Sequence, residues 1–123
     1  MGIRLAVATS KPEPSAVPIV DHLGLSDYFE TIGGDDLEYG RGTKALVIAE
    51  VLRRLGHPAP DEVLMVGDRS HDVIGAAAHG IATHGAGWGY GAPGELEAAG
   101  AVAIHAATSD LGRALADAIV RTP

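Results

Sequence analysis

Two aspartates four residues apart, Asp68 and Asp72 in Val63-Leu64-Met65-Val66-Gly67-Asp68-Arg69-Ser70-His71-Asp72, have the type and spacing to hold a cation. The apolar run reads as a strand that delivers Asp68 at its carboxyl tip. Gly67 lets the backbone turn sharply, and Asp72 follows in the first turn of a helix. Carboxylates converging across such a turn suit Mg²⁺, which takes a few carboxylate oxygens and completes an octahedron with water and substrate phosphate. The same acids would also serve simply as helix-start residues favoured by the macrodipole. A second group is Thr9-Ser10, after the apolar run Leu5-Ala6-Val7-Ala8 and before Lys11-Pro12. Hydroxyls and backbone N–H groups there could donate to a phosphate, or could only satisfy a turn and cap a helix. The third is Lys44, after Arg41-Gly42-Thr43. A lysine at a helix start opposes the dipole; reaching an anionic site would compensate, and plain solvation is the alternative.

The elements that must position these residues alternate. Ile3 to Thr9 predicts a strand buried on both faces, broken by turn chemistry at Ser10-Lys11-Pro12. Pro14 to Leu23 predicts a helix with Ala16, Ile19, Val20 and Leu23 at helical spacing, stopped by Gly24. Tyr28 to Gly33 predicts a short strand, and Gly33 to Gly42 a loop. Thr43 predicts the N-cap of a helix to about Leu55, with Ala45, Ile48, Ala49 and Leu52 on one face and Gly56 as terminator. Glu62 to Gly67 is the clearest strand. Ser70 predicts the cap of the next helix, with Val73, Ala76 and Ala77 inward. A strand over Ile81–His84, a glycine-rich loop over Gly85–Gly94, a short helix over Glu95–Ala99, a strand over Ala101–His105 and a helix over Ser109–Val120 complete the chain. Strand and helix in alternation imply a parallel sheet with crossover helices. Ligands collect beyond the carboxyl ends of such strands, where Thr9-Ser10, the Asp68 turn and Gly85-Ala86-Gly87 all fall.

Composition agrees with one α/β domain. The 123 residues are 46% hydrophobic and 20% charged, and aromatic residues are only 4%. A core of Ala, Val, Leu and Ile is therefore expected, with 17 Gly letting helices lie close to a sheet. The net charge of −7 disfavours nucleic acid and anionic membranes. With no cysteine, disulfides and thiolate metal sites are excluded. The first apolar stretch, Leu5 to Thr9, is too short for a signal peptide or membrane helix, so a soluble, cytoplasmic protein is expected. His22, His57, His79, His84 and His105 show no metal-ligand spacing, and His71 reads as a surface residue as readily as a ligand.

Taken in chain order, Ala8-Thr9-Ser10-Lys11-Pro12, Arg41-Gly42-Thr43-Lys44, Met65-Val66-Gly67-Asp68-Arg69-Ser70-His71-Asp72-Val73-Ile74-Gly75-Ala76 and Trp88-Gly89-Tyr90-Gly91 resemble the haloacid dehalogenase superfamily, in its phosphoglycolate phosphatase and 5′-nucleotidase-like branch. The resemblance runs over almost the whole chain. It implies a three-layer, Rossmann-like parallel sheet with helices on both faces. It also implies a Mg²⁺-dependent phosphomonoester hydrolase acting on a small phosphate ester such as phosphoglycolate or a nucleoside monophosphate. Thr9 would hold the phosphoryl group with Ser10 beside it, Lys44 would neutralise phosphate charge, and Asp68 would bind Mg²⁺ with Asp72 assisting. Gly85 to Gly91 would line the entrance, with Trp88 and Tyr90 packing there or facing substrate. A true dehalogenase needs no Mg²⁺, and the paired acids argue against one.

Family members attack phosphate with the first aspartate of an Asp-x-Asp on the first, central strand. The sequence has no Asp-x-Asp, and Asp35-Asp36, in a predicted loop, is no substitute. The expectation is a partial core over residues 1–123, without that strand or a cap domain, and inactive by itself. The other reading is a phosphate- and Mg²⁺-binding module, or a half-enzyme completed by a separate N-terminal chain. Without the central strand, strands 4–9 and 63–67 are expected to leave backbone groups without their usual partners.

Overall fold

The computed structural model describes residues 3–36 and 43–121, with side chains through 118. Arg41, Gly42 and most of the predicted 33–42 loop lie outside the described residues. The chain divides into two compact units, 1–58 and 59–123.

In the first unit the order is β1 (Ala6–Pro12), α1 (Glu13–His22), β2 (Thr31–Asp35) and α2 (Lys44–Arg54). β1 and β2 are parallel, in register from Ala6↔Thr31 to Ala8↔Gly33, and pair again at Pro12↔Asp35. Thr9, Ser10 and Lys11 therefore stand against Gly34 alone, a bulge in β1. The strand thus lies three residues beyond the apolar run that predicted it. Ile3 and Leu5 are exposed outside the ladder, and pairing resumes at Pro12, which has no N–H to offer a ladder. β2 also starts later than predicted, because Tyr28 and Phe29 spend their N–H groups on the Leu25 and Ser26 carbonyls in a 3₁₀ turn. This shift makes Asp35 the last residue of a strand, where a loop was expected.

Gly33 and Gly34 explain how two helices lie on so small a sheet. A Cβ on Gly33 would strike Val51 of α2, and one on Gly34 would strike the start of α1. Neighbouring strand residues point to opposite faces, so the helices cover opposite faces. Thr43 caps α2 as predicted, its Oγ1 accepting the Leu46 N–H at 3.3 Å. Val47, Ile48 and Val51 of α2 are buried with Ala16 of α1, each larger side chain contributing about 1.5–3 kcal/mol. The predicted face of α1 is corrected: Ile19 and Leu23 are exposed, and Pro18 interrupts the helix hydrogen bonding.

The second unit runs β3 (Leu64–Gly67), α3 (Ser70–Ala77), β4 (Ala82–Ala86), α4 (Glu95–Ala99), β5 (Ala103–His105) and α5 (Thr108–Arg121). Its sheet is parallel in the order β3-β4-β5. Val73 and Ala76 of α3, Leu96 of α4, Ile81 and Thr83 form its core, while Ala77, predicted inward, is exposed. Leu64 and Val66 are exposed and alternate with the better-covered Met65 and Gly67. β1 pairs only with β2 and β3 only with β4 among the described residues, so each has one unpaired edge. No described helix is long and apolar enough to cross a membrane.

Candidate active site

Asp68 leaves the carboxyl tip of β3, where the strand has run out of ladder and the backbone N–H groups need new acceptors. Asp72 supplies one. Its side chain is buried, and Oδ2 accepts the Asp68 N–H at 3.1 Å and the Arg69 N–H at 3.2 Å. Only glycine fits at position 67, because a Cβ there would run into the Asp72 carboxylate. The predicted cap residue is displaced by one: Arg69 is the N-cap of α3, and Ser70 is its first helical residue.

Asp68 in turn holds the glycine-rich loop that follows β4. Its Oδ2 accepts the Tyr90 N–H at 2.9 Å, and a Cβ on Gly89 would collide with the Asp68 Cβ. The other carboxylate oxygen, Oδ1, takes no hydrogen bond among the described residues. Asp68 borders a cleft of roughly 540 Å³, with Val66, Ala86 and Trp88 as its apolar wall and Tyr90 at its rim. Trp88 is half-exposed and Tyr90 almost fully so.

Glu95, at the start of α4, was not singled out by the sequence. Its Oε2 accepts the Ser70 N–H at 2.6 Å and the Arg69 guanidinium at 3.0 Å, while Oε1 accepts the Ala92 N–H at 3.2 Å. The Ser70 N–H, then Arg69 and the Ala92 N–H, hold this carboxyl down at about 2. The one legible sign was an acid in the first turn of a predicted helix, a common placement with a local explanation.

In the first unit, Thr9 and Ser10 occupy the β1 bulge. Thr9 Oγ1 accepts the Lys11 N–H at 3.2 Å, and Ser10 is exposed. Lys44 bends back from the first residue of α2, and its Nζ donates to the Ala8 carbonyl at 2.9 Å. The ammonium is thus held one residue from Thr9, which accounts for a lysine at an unfavourable end of a helix dipole.

The histidines divide. His71 is exposed, with Nε2 3.8 Å from Asp72 Oδ1. His84 and His105 form a pair the sequence did not reveal, their Nδ1 and Nε2 3.0 Å apart. Their rings are nearly parallel, with centres 5.3 Å apart. That separation exceeds the N···N distance by about the sum of two ring radii, so the rings lie edge to edge in one plane, joined by a hydrogen bond.

Among the described residues no group of three or more His, Asp or Glu converges as a metal site. A cation held by this chain would rest on Asp68 and Asp72, which fits Mg²⁺, a metal commonly bound through one or two carboxylates with several waters. Asp68 Oδ1, open beside the cleft, is the oxygen suited to direct contact, whereas Asp72 Oδ2 is already committed to two N–H groups.

Most of the chain is similar to known proteins. The chain is 50% identical over 110 residues to the tyrosine-protein kinase PtkA of Mycobacterium tuberculosis, covering 89% of this chain and 38% of that protein. It is 40% identical over 97 residues to a 5′-nucleotidase of Pseudomonas aeruginosa, covering 79% of this chain and 43% of that one. The crystal structure of a predicted phosphatase from Clostridium acetobutylicum superposes with a TM-score of 0.89 at 35% identity, covering 94% of this chain and 53% of that chain. The chain thus spans about half, or less, of the length of these relatives. The family model for haloacid dehalogenase-like hydrolases matches residues 1–80, and the chain belongs to that family, with its Rossmann-like parallel α/β fold.

Proposed function

We propose that this chain carries the phosphate- and cation-holding part of a Mg²⁺-dependent phosphomonoester hydrolase whose substrate is a small phosphate ester, such as phosphoglycolate or a nucleoside monophosphate. The observation that carries the reading is the Lys44 hook, which fixes a cationic group beside the Thr9-Ser10 bulge. Phosphoryl transfer depends almost entirely on positioning and on neutralising charge. Thr9 and Ser10 would donate to the phosphoryl oxygens and Lys44 would offset their charge. Asp68 would bind Mg²⁺ directly, and Asp72 would keep the Asp68 turn closed. Bound Mg²⁺ would supply further charge neutralisation. Phosphomonoester hydrolysis in this family also needs a carboxylate nucleophile to form the covalent intermediate. Residues 1–123 contain no Asp-x-Asp, so these residues alone are expected to bind without turnover.

A second reading is favoured by the 50% identity to a protein named a tyrosine kinase: the same grip on a phosphoryl group would serve transfer to a tyrosine hydroxyl. A half-enzyme completed by a separate chain shares these binding residues. The test is titration of the 123-residue protein with inorganic phosphate and Mn²⁺, followed by NMR and calorimetry. Binding is expected for both, with phosphate affinity lost in Lys44→Met and cation affinity lost in Asp68→Asn. Undiminished binding in those variants would remove the site. Incubation with p-nitrophenyl phosphate, and separately with labelled ATP, then distinguishes the readings. No turnover is expected from residues 1–123, whereas label on tyrosine would favour the kinase.

A further inference from the structure

Backbone N–H groups 68, 69 and 70 all end on carboxylates. Asp72 Oδ2 takes the first two, and Glu95 Oε2 takes the third at 2.6 Å, the shortest of the three. Glu95 also reaches the other loop of the cleft, because its Oε1 accepts the Ala92 N–H. Asp68 makes the complementary link, its Oδ2 accepting the Tyr90 N–H from the same loop. The turn after β3 and the loop after β4 are therefore joined twice, once through the residue that faces the cleft and once through Glu95. Without Glu95 the Ser70 N–H loses its carboxylate partner, and the Asp68–Tyr90 bond and the close packing of Gly89 and Gly91 on Asp68 are what remain to hold the two loops in register. A ligand oxygen must stay within a few tenths of an ångström of its metal distance, so even a small shift of the Asp68 turn against the loop would weaken its hold on a cation.

We propose that Glu95 is a positioning residue for cation binding at Asp68: it fixes the Asp68 turn against the 88–92 loop so that Oδ1 stays presented to the cleft. The inference rests on the reading that Asp68 binds a divalent cation. Glu95 does not touch the cation itself. It acts through the Ser70 and Ala92 N–H groups, as outer partners do in metal sites generally, where their loss typically costs about 10- to 100-fold in affinity.

The experiment is Mn²⁺ binding to the full 123-residue chain at 25 °C, read by calorimetry and by the electron paramagnetic resonance of free Mn²⁺. Wild type, Asp68→Asn, Glu95→Gln and Glu95→Asp are compared, with far-UV circular dichroism confirming that each is folded. Glu95→Gln keeps the size and one acceptor oxygen; Glu95→Asp keeps the charge but shortens the reach to Ser70. Both are expected to weaken Mn²⁺ by about 10-fold or more, with the Ser70 and Ala92 amide proton resonances moving upfield as their hydrogen bonds are lost. If wild type binds and Asp68→Asn does not, but either Glu95 variant binds as wild type, this inference falls and the cation reading stands. No Mn²⁺ binding by wild type would overturn both.

Discussion

Asp68 has one oxygen tied to the Tyr90 N–H and the other without a hydrogen bond among the described residues, and that asymmetry depends on a glycine far along the chain that packs against it. A Cβ at position 89 would overlap the Asp68 Cβ, and that side chain is itself held by the Tyr90 N–H, which leaves no easy relief. Gly89→Ala is therefore expected to cost about 1–3 kcal/mol in stability, as overpacking does, and to weaken Mn²⁺ binding along with it. Urea denaturation measures the first and calorimetry the second; unchanged values in both would show that the loop yields. The strand-to-helix turn at Asp68 was legible because an apolar strand, a glycine and two acids at fixed spacing form one local pattern. Glu95 was not legible, since its partners Arg69 and Ser70 lie twenty-five or so positions earlier and meet it only after α3 and β4 have folded. Thr9 and Lys44 were read as candidates from their side-chain chemistry at a strand tip and a helix start, and from the resemblance; what could not be read was the bend by which Lys44 reaches the Ala8 carbonyl.

Among the elements, β5 is the shortest strand and is tied to β4 by more than its ladder. His84 and His105 lie diagonally across the pair, since His84 is opposite Ala103 and His105 is opposite Ala86, and their rings share a hydrogen bond. Burial, and then the facing His105, push the His84 pKa below the usual histidine range. A histidine with a depressed folded pKa binds fewer protons than it does unfolded, so its contribution to stability is present above the ordinary histidine pKa. It is lost as pH falls through that value toward the lower folded one. The urea midpoint is accordingly expected to fall between about pH 7.5 and 5, and to fall less in His84→Gln. Equal slopes for the two proteins would assign the effect to other groups. The order and type of elements were legible from apolar runs and glycine stops, whereas boundaries slipped where hydrogen bonding overrode the pattern. β1 pairs with β2 again at Pro12, past its predicted turn, and the 3₁₀ bonds of Tyr28 and Phe29 delayed β2. The His84–His105 pair needed the register of two strands, which no spacing within one strand reveals.

At the scale of the whole chain, the parallel α/β class followed from alternation of elements, but the division into units 1–58 and 59–123 did not. Each unit has its own sheet and its own buried cluster, and the first depends mainly on α2. Ile48→Ala, at a site 4% exposed, is expected to cost about 2–5 kcal/mol. Hydrogen exchange should show the loss first in the amides of β2 and α2, with those of α3 and β4 changed less. Uniform loss of protection along the chain would mean that both units open in a single cooperative step. Trp88 has a different use at this scale. It is the only tryptophan, and it stands half-exposed in the wall of the Asp68 cleft. Its ultraviolet emission therefore comes from one known place, so the protein carries its own optical probe, and a quenching ion such as Mn²⁺ entering the cleft would announce itself without any label.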